Sequence, residues 1–222
     1  MRKIEVIQNI LEANESIAAQ NQRLLDKHKV FAINIMSSPG AGKTSLILQT
    51  MAKLKNKLKI AVVEGDVAST LDAEKVKNEA VAVVQITTRN MSESCTLIAN
   101  MLDHALRSLP LEDIDLLLIE NVGNLICPSE FALGEHKRVV ISSLPEGDDK
   151  PSKYPLIFAD ADAVVINKLD FLPYADFDIA AFEKALKGLN PKVKIFHVSC
   201  KTGAGIESWC SWLLNEVETN IH

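Results

Sequence analysis

The chain has 222 residues, of which 47% are hydrophobic and 24% charged, with a net charge of −5. That describes a soluble chain long enough for one α/β domain with a large core, and its acidic balance gives no electrostatic reason to expect nucleic acid. Cys95, Cys127, Cys200 and Cys210 are irregularly spaced, no leading apolar segment ends in a cleavage site and no apolar run reaches membrane-spanning length, so the sequence predicts a cytoplasmic protein with reduced thiols.

Residues 1–28 carry Ile4, Ile7, Ile10, Leu11, Ile17, Leu24 and Leu25 at helical spacing. They predict an amphipathic helix that docks on its own domain rather than on a partner. From residue 29 to 222, short β-rich runs alternate with helical stretches, and no composition shift marks a second domain, so 1–222 reads as a single unit. Strands are expected at 31–36, 60–64, 81–86, 114–119, 138–141, 163–166 and 193–198. Helices are expected at 43–54, 71–78, 92–108, 177–187 and 206–217. The basic run at 53–59 reads as a solvated helix end. Runs such as LLLI at 116–119 and AVVI at 163–166 are apolar at every position, as strands buried on both faces are. The fold class is α/β, a mostly parallel sheet of about seven strands with helices on both faces.

The stretch SSPGAGKT, 37–44, fits the phosphate-loop template G-x-x-x-x-G-K-[ST] except that Ser37 stands at the first glycine. It joins an expected strand to an expected helix, the context a three-layer P-loop NTPase requires. Gly40, Ala41 and Gly42 let backbone N–H groups turn towards phosphates. Lys43 reaches the β- and γ-phosphates, the Thr44 hydroxyl is a Mg²⁺ ligand, and Ser45 follows at the helix N-terminus. Ser37 loses about 1 kcal/mol or less if its dihedrals are ordinary.

The second nucleotide signal is N-K-L-D, Asn167 to Asp170, at the end of a buried strand. Alone it reads as a turn capped by Asp170. Downstream of a phosphate loop it reads guanine, because a carboxylate at Asp170 accepts from both N1–H and the N2 amine, a donor pair adenine lacks. Asn167 is expected on the other base edge and in holding the loop, with the Lys168 stem covering the base. Ser199, Cys200 and Lys201 follow the last strand and approach the base through backbone.

Asp66, just beyond the second strand, and Glu120, at the end of the fourth, are candidates for the Mg²⁺ shell and for catalysis beside Lys43; both also suit helix caps. The motif around Glu120 reads E-N-V-G, where most GTPases have D-x-x-G. The longer acid is expected to act through a water. No glutamine stands there to position the attacking water, which predicts slow intrinsic GTP hydrolysis.

From SSPGAGKT through EGD, ENVGNLICP and EGDDKPSKYP to NKLD, the chain resembles the hydrogenase nickel-incorporation GTPases of the HypB family. Serine at the first glycine of the phosphate loop also fits that family. The resemblance implies a GTP-driven metallochaperone that assists nickel insertion into [NiFe]-hydrogenase with a HypA-type nickel protein, meets the hydrogenase large subunit, and forms a nucleotide-dependent homodimer. It also implies a Zn²⁺ or Ni²⁺ site built from a Cys-His pair and a further cysteine. The matching positions here are Cys95, Thr96 and Cys127, with threonine in the histidine's place, so one subunit retains two ligands of a usual four. His104 is nine positions past Cys95, about 900° around a helix, and reads as surface. Each cysteine by itself reads equally as a small buried hydrophobe. The family's N-terminal multi-cysteine motif and histidine-rich tract are absent from the sequence.

Two alternatives remain at this stage. One is a GTP-dependent assembly scaffold without bound metal. The other is a related GTPase for another metalloenzyme; against urease, Cys127-Pro128 is followed by Ser129 where that chaperone family carries histidine.

Overall fold

A computed structural model describes residues 2–65, 76, 80–86 and 95–221, with side chains described from residue 9 to 220 of these. Seven strands form one sheet: β1 (Phe31–Ser37), β2 (Ile60–Glu64), β3 (Ala82–Gln85), β4 (Leu116–Glu120), β5 (Lys137–Ser143), β6 (Ala163–Asn167) and β7 (Lys194–His197). Their order is β3-β2-β4-β1-β5-β6-β7, and every pairing is parallel. The helices are α1 (Arg2–His28), α2 (Lys43–Leu54), α3 (Ala99–Leu106), α4 (Lys150–Lys153), α5 (Pro155–Ala159), α6 (Ile179–Leu189) and α7 (Ile206–Ile221).

Strand alternation sorts the core. Phe31, Ile33 and Ile35 of β1, with Leu116 and Leu118 of β4, pack with Leu46, Ile47 and Met51 of α2 and Trp209 and Leu213 of α7. On the opposite face, Ala32, Leu117 and Ile119 pack with Leu25 of α1 and Leu102 and Leu106 of α3. Further along that face, Met36, Val140 and Val164 pack with Phe158 of α5 and Phe182 of α6. Between the last two clusters lies Asn34, fully buried, in a polar seam: its Nδ2 donates to Glu135 Oε1 (3.2 Å) and its Oδ1 accepts from Asn121 Nδ2 (3.1 Å).

All seven expected strands form, with ends that coincide or differ by at most two residues. The expected helix at 92–108 is shorter. Residues 92–94 lie outside the described residues, and Ile98 is extended (φ −121°, ψ 161°), so the helix starts at Ala99. The reason is tertiary, because the Leu97 N–H is held by Asn121 Oδ1 (3.1 Å) and cannot enter a helical turn. The expected helix at 71–78 lies outside the described residues except for Val76, a core residue. Short helices α4, within the proline-interrupted EGDDKPSKYP stretch, and α5, starting at its last residue, were not expected; they run only 4 and 5 residues, too short for a periodic signal. The expected docking of α1 on its own domain is observed, through Leu25 and through buried Asn14 and Asn21.

Candidate functional site

The phosphate loop connects β1 to α2 at the C-terminal edge of the sheet, where parallel α/β folds hold ligands. Gly40 (φ +75°) and Gly42 (φ +108°) adopt the left-handed backbone that glycine tolerates best. Ser37 does not, so its lack of glycine's freedom is harmless; its Oγ donates to the Ser38 carbonyl (2.7 Å) and accepts from Lys43 Nζ (3.5 Å). Lys43 is buried beneath the loop at 5% exposure.

Asn167 organises the three nucleotide motifs. Its Nδ2 donates to the Ala41 carbonyl (2.9 Å), and its Oδ1 accepts from the Lys168 N–H (2.7 Å) and the Cys200 N–H (3.2 Å). A Cβ on Gly42 would collide with Asn167 Nδ2, so that glycine is also required by the close approach. The Asn167 side-chain oxygen is taken by two backbone donors, which holds the loops together, and one Nδ2 hydrogen remains for a base edge. Lys168 is in the left-handed region (φ 63°), and its Nζ donates to the Gly40 carbonyl (2.7 Å), which lays its stem along the cleft.

Asp170 accepts from Ser199 Oγ (2.6 Å), which aims its carboxylate. Gln49 of α2 donates to the Cys200 carbonyl (2.9 Å), closing the Ser199–Lys201 loop onto the phosphate-loop helix. A cleft of about 270 Å³ results, lined by Gly42, Ser45, Asn167, Asp170, Cys200 and Lys201 among others. Phe171 also lines it and was not anticipated; the only signal was an aromatic directly after N-K-L-D. Burial pushes the Cys200 thiol up to about 11, helped by the nearby Asp170 charge and opposed by Asn167.

At the other end of the loop, Thr44 Oγ1 donates to Glu120 Oε1 (2.8 Å). Glu120 ends β4 and stands in register with Ile35 of β1 and Glu64 of β2. Glu64, also buried, is a second acid at this edge that sequence reasoning passed over, since it looks like the last residue of a strand. A hydroxyl and a carboxylate side by side are hard oxygen donors of the kind Mg²⁺ prefers. Asp66 lies outside the described residues. Gly123 of E-N-V-G seats against Pro39, where a Cβ would come within 3.1 Å, so this motif and the phosphate loop are in direct contact.

Past that contact the chain reaches the cysteines. Cys127 opens a short 3-10 turn (Cys127–Ser129), and Cys95, itself exposed, begins the otherwise mostly buried segment that leads into α3. The structure brings them together, with Cα atoms 6.2 Å apart, and joins them as a disulfide. Two expectations are corrected. The thiols are not all reduced, since only Cys200 and Cys210 are free, and neither Cys95 nor Cys127 is a buried hydrophobe. Asn124 Nδ2 donates to Cys127 Sγ and to the Cys95 carbonyl, both at 3.3 Å. Thr96 is buried, with its Oγ1 donating to the Leu97 carbonyl (3.1 Å). His104 is exposed on α3, as expected, but Cys95 lies outside that helix, so no helical angle relates the two. No cluster of three or more His, Cys, Asp or Glu suited to a metal occurs among the described residues. No helix among them is long and apolar enough to cross a membrane.

Residues 31–197 match the family model for the CobW/HypB/UreG nucleotide-binding domain. Over 96% of the chain, the sequence is 44% identical to the hydrogenase maturation factor HypB of Rhizobium leguminosarum bv. viciae, covering 70% of that protein. It is 41% identical over 97% of the chain to the probable HypB of Methanocaldococcus jannaschii, covering 96% of it. Among solved structures, HypB from Archaeoglobus fulgidus superposes with a TM-score of 0.87 at 40% identity, over 93% of this chain and 99% of that one. HypB from Helicobacter pylori in complex with nickel also gives 0.87, at 37% identity, over 95% of this chain and 97% of that one.

Proposed function

The chain belongs to the HypB family of hydrogenase maturation factors, within the CobW/HypB/UreG group, and on that premise we propose that it is a slow GTPase that assists nickel insertion into [NiFe]-hydrogenase. The observation that carries this reading is the continuity of one segment. Glu120, bonded to Thr44 of the phosphate loop, and Cys127, paired with Cys95, belong to the same stretch between β4 and β5. Whatever changes at the γ-phosphate end of that stretch is transmitted to the cysteines, the logic of a nucleotide switch.

In this reading Gly40, Ala41, Gly42, Lys43, Thr44 and Ser45 hold the phosphates. Asp170 reads the guanine edge under the aim of Ser199, while Asn167, Lys168, Cys200 and Lys201 shape the pocket. Thr44, Glu120 and Asp66 would hold Mg²⁺, which neutralises charge on the β- and γ-phosphates when bound. Lys43 places a buried cation where negative charge grows on the transferring group. Cys95, exposed, and Cys127, half-buried, offer two soft donors when reduced, suited to Ni²⁺ as cargo or to Zn²⁺. Two copies related by a two-fold axis would supply four, making a GTP-dependent homodimer joined near Cys127. The protein acts in the cytoplasm as one domain, with a HypA-type nickel protein and the hydrogenase large subunit as partners.

The test combines single-turnover GTP hydrolysis with calorimetric Ni²⁺ and Zn²⁺ titration of reduced protein, wild type and Cys95→Ala. Sedimentation with GDP, then with a slowly hydrolysed GTP analogue, with and without metal, gives the oligomeric state. GTP turnover, metal binding lost in the variant and a nucleotide-dependent dimer are expected. Hydrolysis without metal binding would instead support the metal-free scaffold.

A further inference from the structure

Cys95 and Cys127 are 32 residues apart in sequence and sit on separate segments, one leading into α3 and the other joining β4 to β5. α1 lies across both. Asn14 Oδ1 accepts from the Ala99 N–H (2.9 Å) on the first segment, while its Nδ2 donates to the Ala132 carbonyl (2.8 Å) on the second. Asn21 donates both amide hydrogens, one to the Ala99 carbonyl and one to the Leu133 carbonyl, each at 2.8 Å. Seven residues separate the two asparagines, about two helical turns, so both project from one face. Each is a bridge between the two cysteine-bearing segments.

The fit between helix and loop is close. At Gly134 (φ +99°) a Cβ would come within 2.8 Å of Asn21 Cβ and 2.9 Å of the Gln22 nitrogen. Asn21 is fully buried, and its Oδ1 has no hydrogen-bond partner among the described residues. A side chain that only filled space would not strand an acceptor there, whereas an amide gains two carbonyl partners in return. From the sheet side, Asn121 Oδ1 accepts from the Leu97 and Val122 N–H groups (3.1 and 2.8 Å), so the Cys95 segment is held from both directions.

We propose that Asn14 and Asn21 of α1 are positioning residues for the dithiol site, setting the distance between Cys95 and Cys127 by clamping their segments together. The metal-binding aspect rests on the reading of these cysteines given above; the thiol spacing does not. Undocking α1 removes both bridges at once and leaves the Cys95 segment to Asn121 and Asn124, so the docked helix sets how closely the pair is held.

The test uses the full chain as wild type, Asn14→Ala, Asn21→Ala and the double variant, with Leu186→Ala as a control that opens the core under α6 without touching either asparagine bridge. Reduced protein is equilibrated with glutathione and glutathione disulfide. In this exchange the two thiols give their electrons and protons to one glutathione disulfide, forming the Cys95–Cys127 bond and two glutathione thiols. Peptide mapping after alkylation gives the pair's effective concentration. Ni²⁺ and Zn²⁺ titration, GDP affinity and thermal melting are measured on the same samples. The double variant is expected to lose about 10–100-fold in both effective thiol concentration and metal affinity, as removal of outer-shell partners does. Its GDP affinity should stay within about twofold, as for independent sites. Leu186→Ala should melt earlier without shifting the thiol equilibrium. Each single variant should move in the same direction by less, which keeps the test open if the double variant folds poorly. A thiol equilibrium unchanged in the asparagine variants, or moved equally by Leu186→Ala, overturns the proposal. A thiol shift in protein that binds no metal upholds the clamp and overturns the metal reading instead.

Discussion

The nucleotide cleft and the cysteine pair stand at opposite ends of the same loop system, and they are held by different means. In the cleft, buried polar side chains fasten backbone to backbone: Asn167 binds two loops, Ser199 aims Asp170, and Gly42 permits the approach. The cysteine pair, with Cys95 exposed and Cys127 half-buried, joins two segments distant in sequence, and beyond Asn124 of its own loop it takes its geometry from side chains reaching in from α1 and from Asn121. The cleft is thus built mainly by the loops that form it and the adjoining α2, whereas the cysteine pair depends also on α1 and Asn121, outside its own loop. A site of the second kind is the one whose geometry a moving helix or switch changes most easily.

The largest expected effect tests the cleft. Lys43→Ala removes a buried cation and should lower single-turnover GTP hydrolysis by roughly 10²–10³, the scale seen when one transition-state donor is removed. Hydrolysis at the wild-type rate would assign the activity to another site. Asp170→Asn should weaken GTP by about a hundredfold, since two hydrogen bonds to a charged acceptor at about 1.5 kcal/mol or more each are lost, while XTP gains because the amide can donate to its C2 carbonyl. Equal GTP and XTP affinities before and after would remove Asp170 from the base pocket.

A smaller change sharpens the point that the cleft is internally fastened. Ser199→Ala deletes the 2.6 Å bond to Asp170 and should cost about tenfold in GTP affinity with little change in hydrolysis of bound nucleotide. Cys95→Ala and Cys127→Ala, by contrast, should leave GDP affinity within about twofold. A large fall in either cysteine variant would mean that the two regions are not separately built.

The smallest effect concerns pH. Burial pushes both Cys200 and Cys210 up to about 11 from an ordinary value of 9.0, so the folded state favours the neutral thiols. Their contribution to stability is therefore complete below about pH 9 and falls away as pH rises towards about 11. Iodoacetamide should label reduced Cys95 well before Cys200 at pH 8, with the Cys200 rate climbing only at higher pH; labelling of Cys200 first would contradict its burial.

Much of this protein was legible in the order of its residues, for a physical reason. Apolar runs such as 116–119 and 163–166 mark strands buried on both faces, and the phosphate loop and N-K-L-D are contiguous segments whose local backbone performs the chemistry. Their placement at one sheet edge follows from parallel topology. What tertiary structure alone decided are contacts between segments far apart in sequence. Leu97 is kept out of a helix because Asn121 takes its N–H; Asn167 turns its oxygen to the Lys168 and Cys200 N–H groups; and α1 spans Ala99 and Leu133 with one amide. The pairing of Cys95 with Cys127 across 32 residues is of the same kind. Periodicity reports which face of an element is apolar, but a polar side chain's partner is chosen only when the chain has closed on itself and each buried donor takes the acceptor that packing leaves within reach.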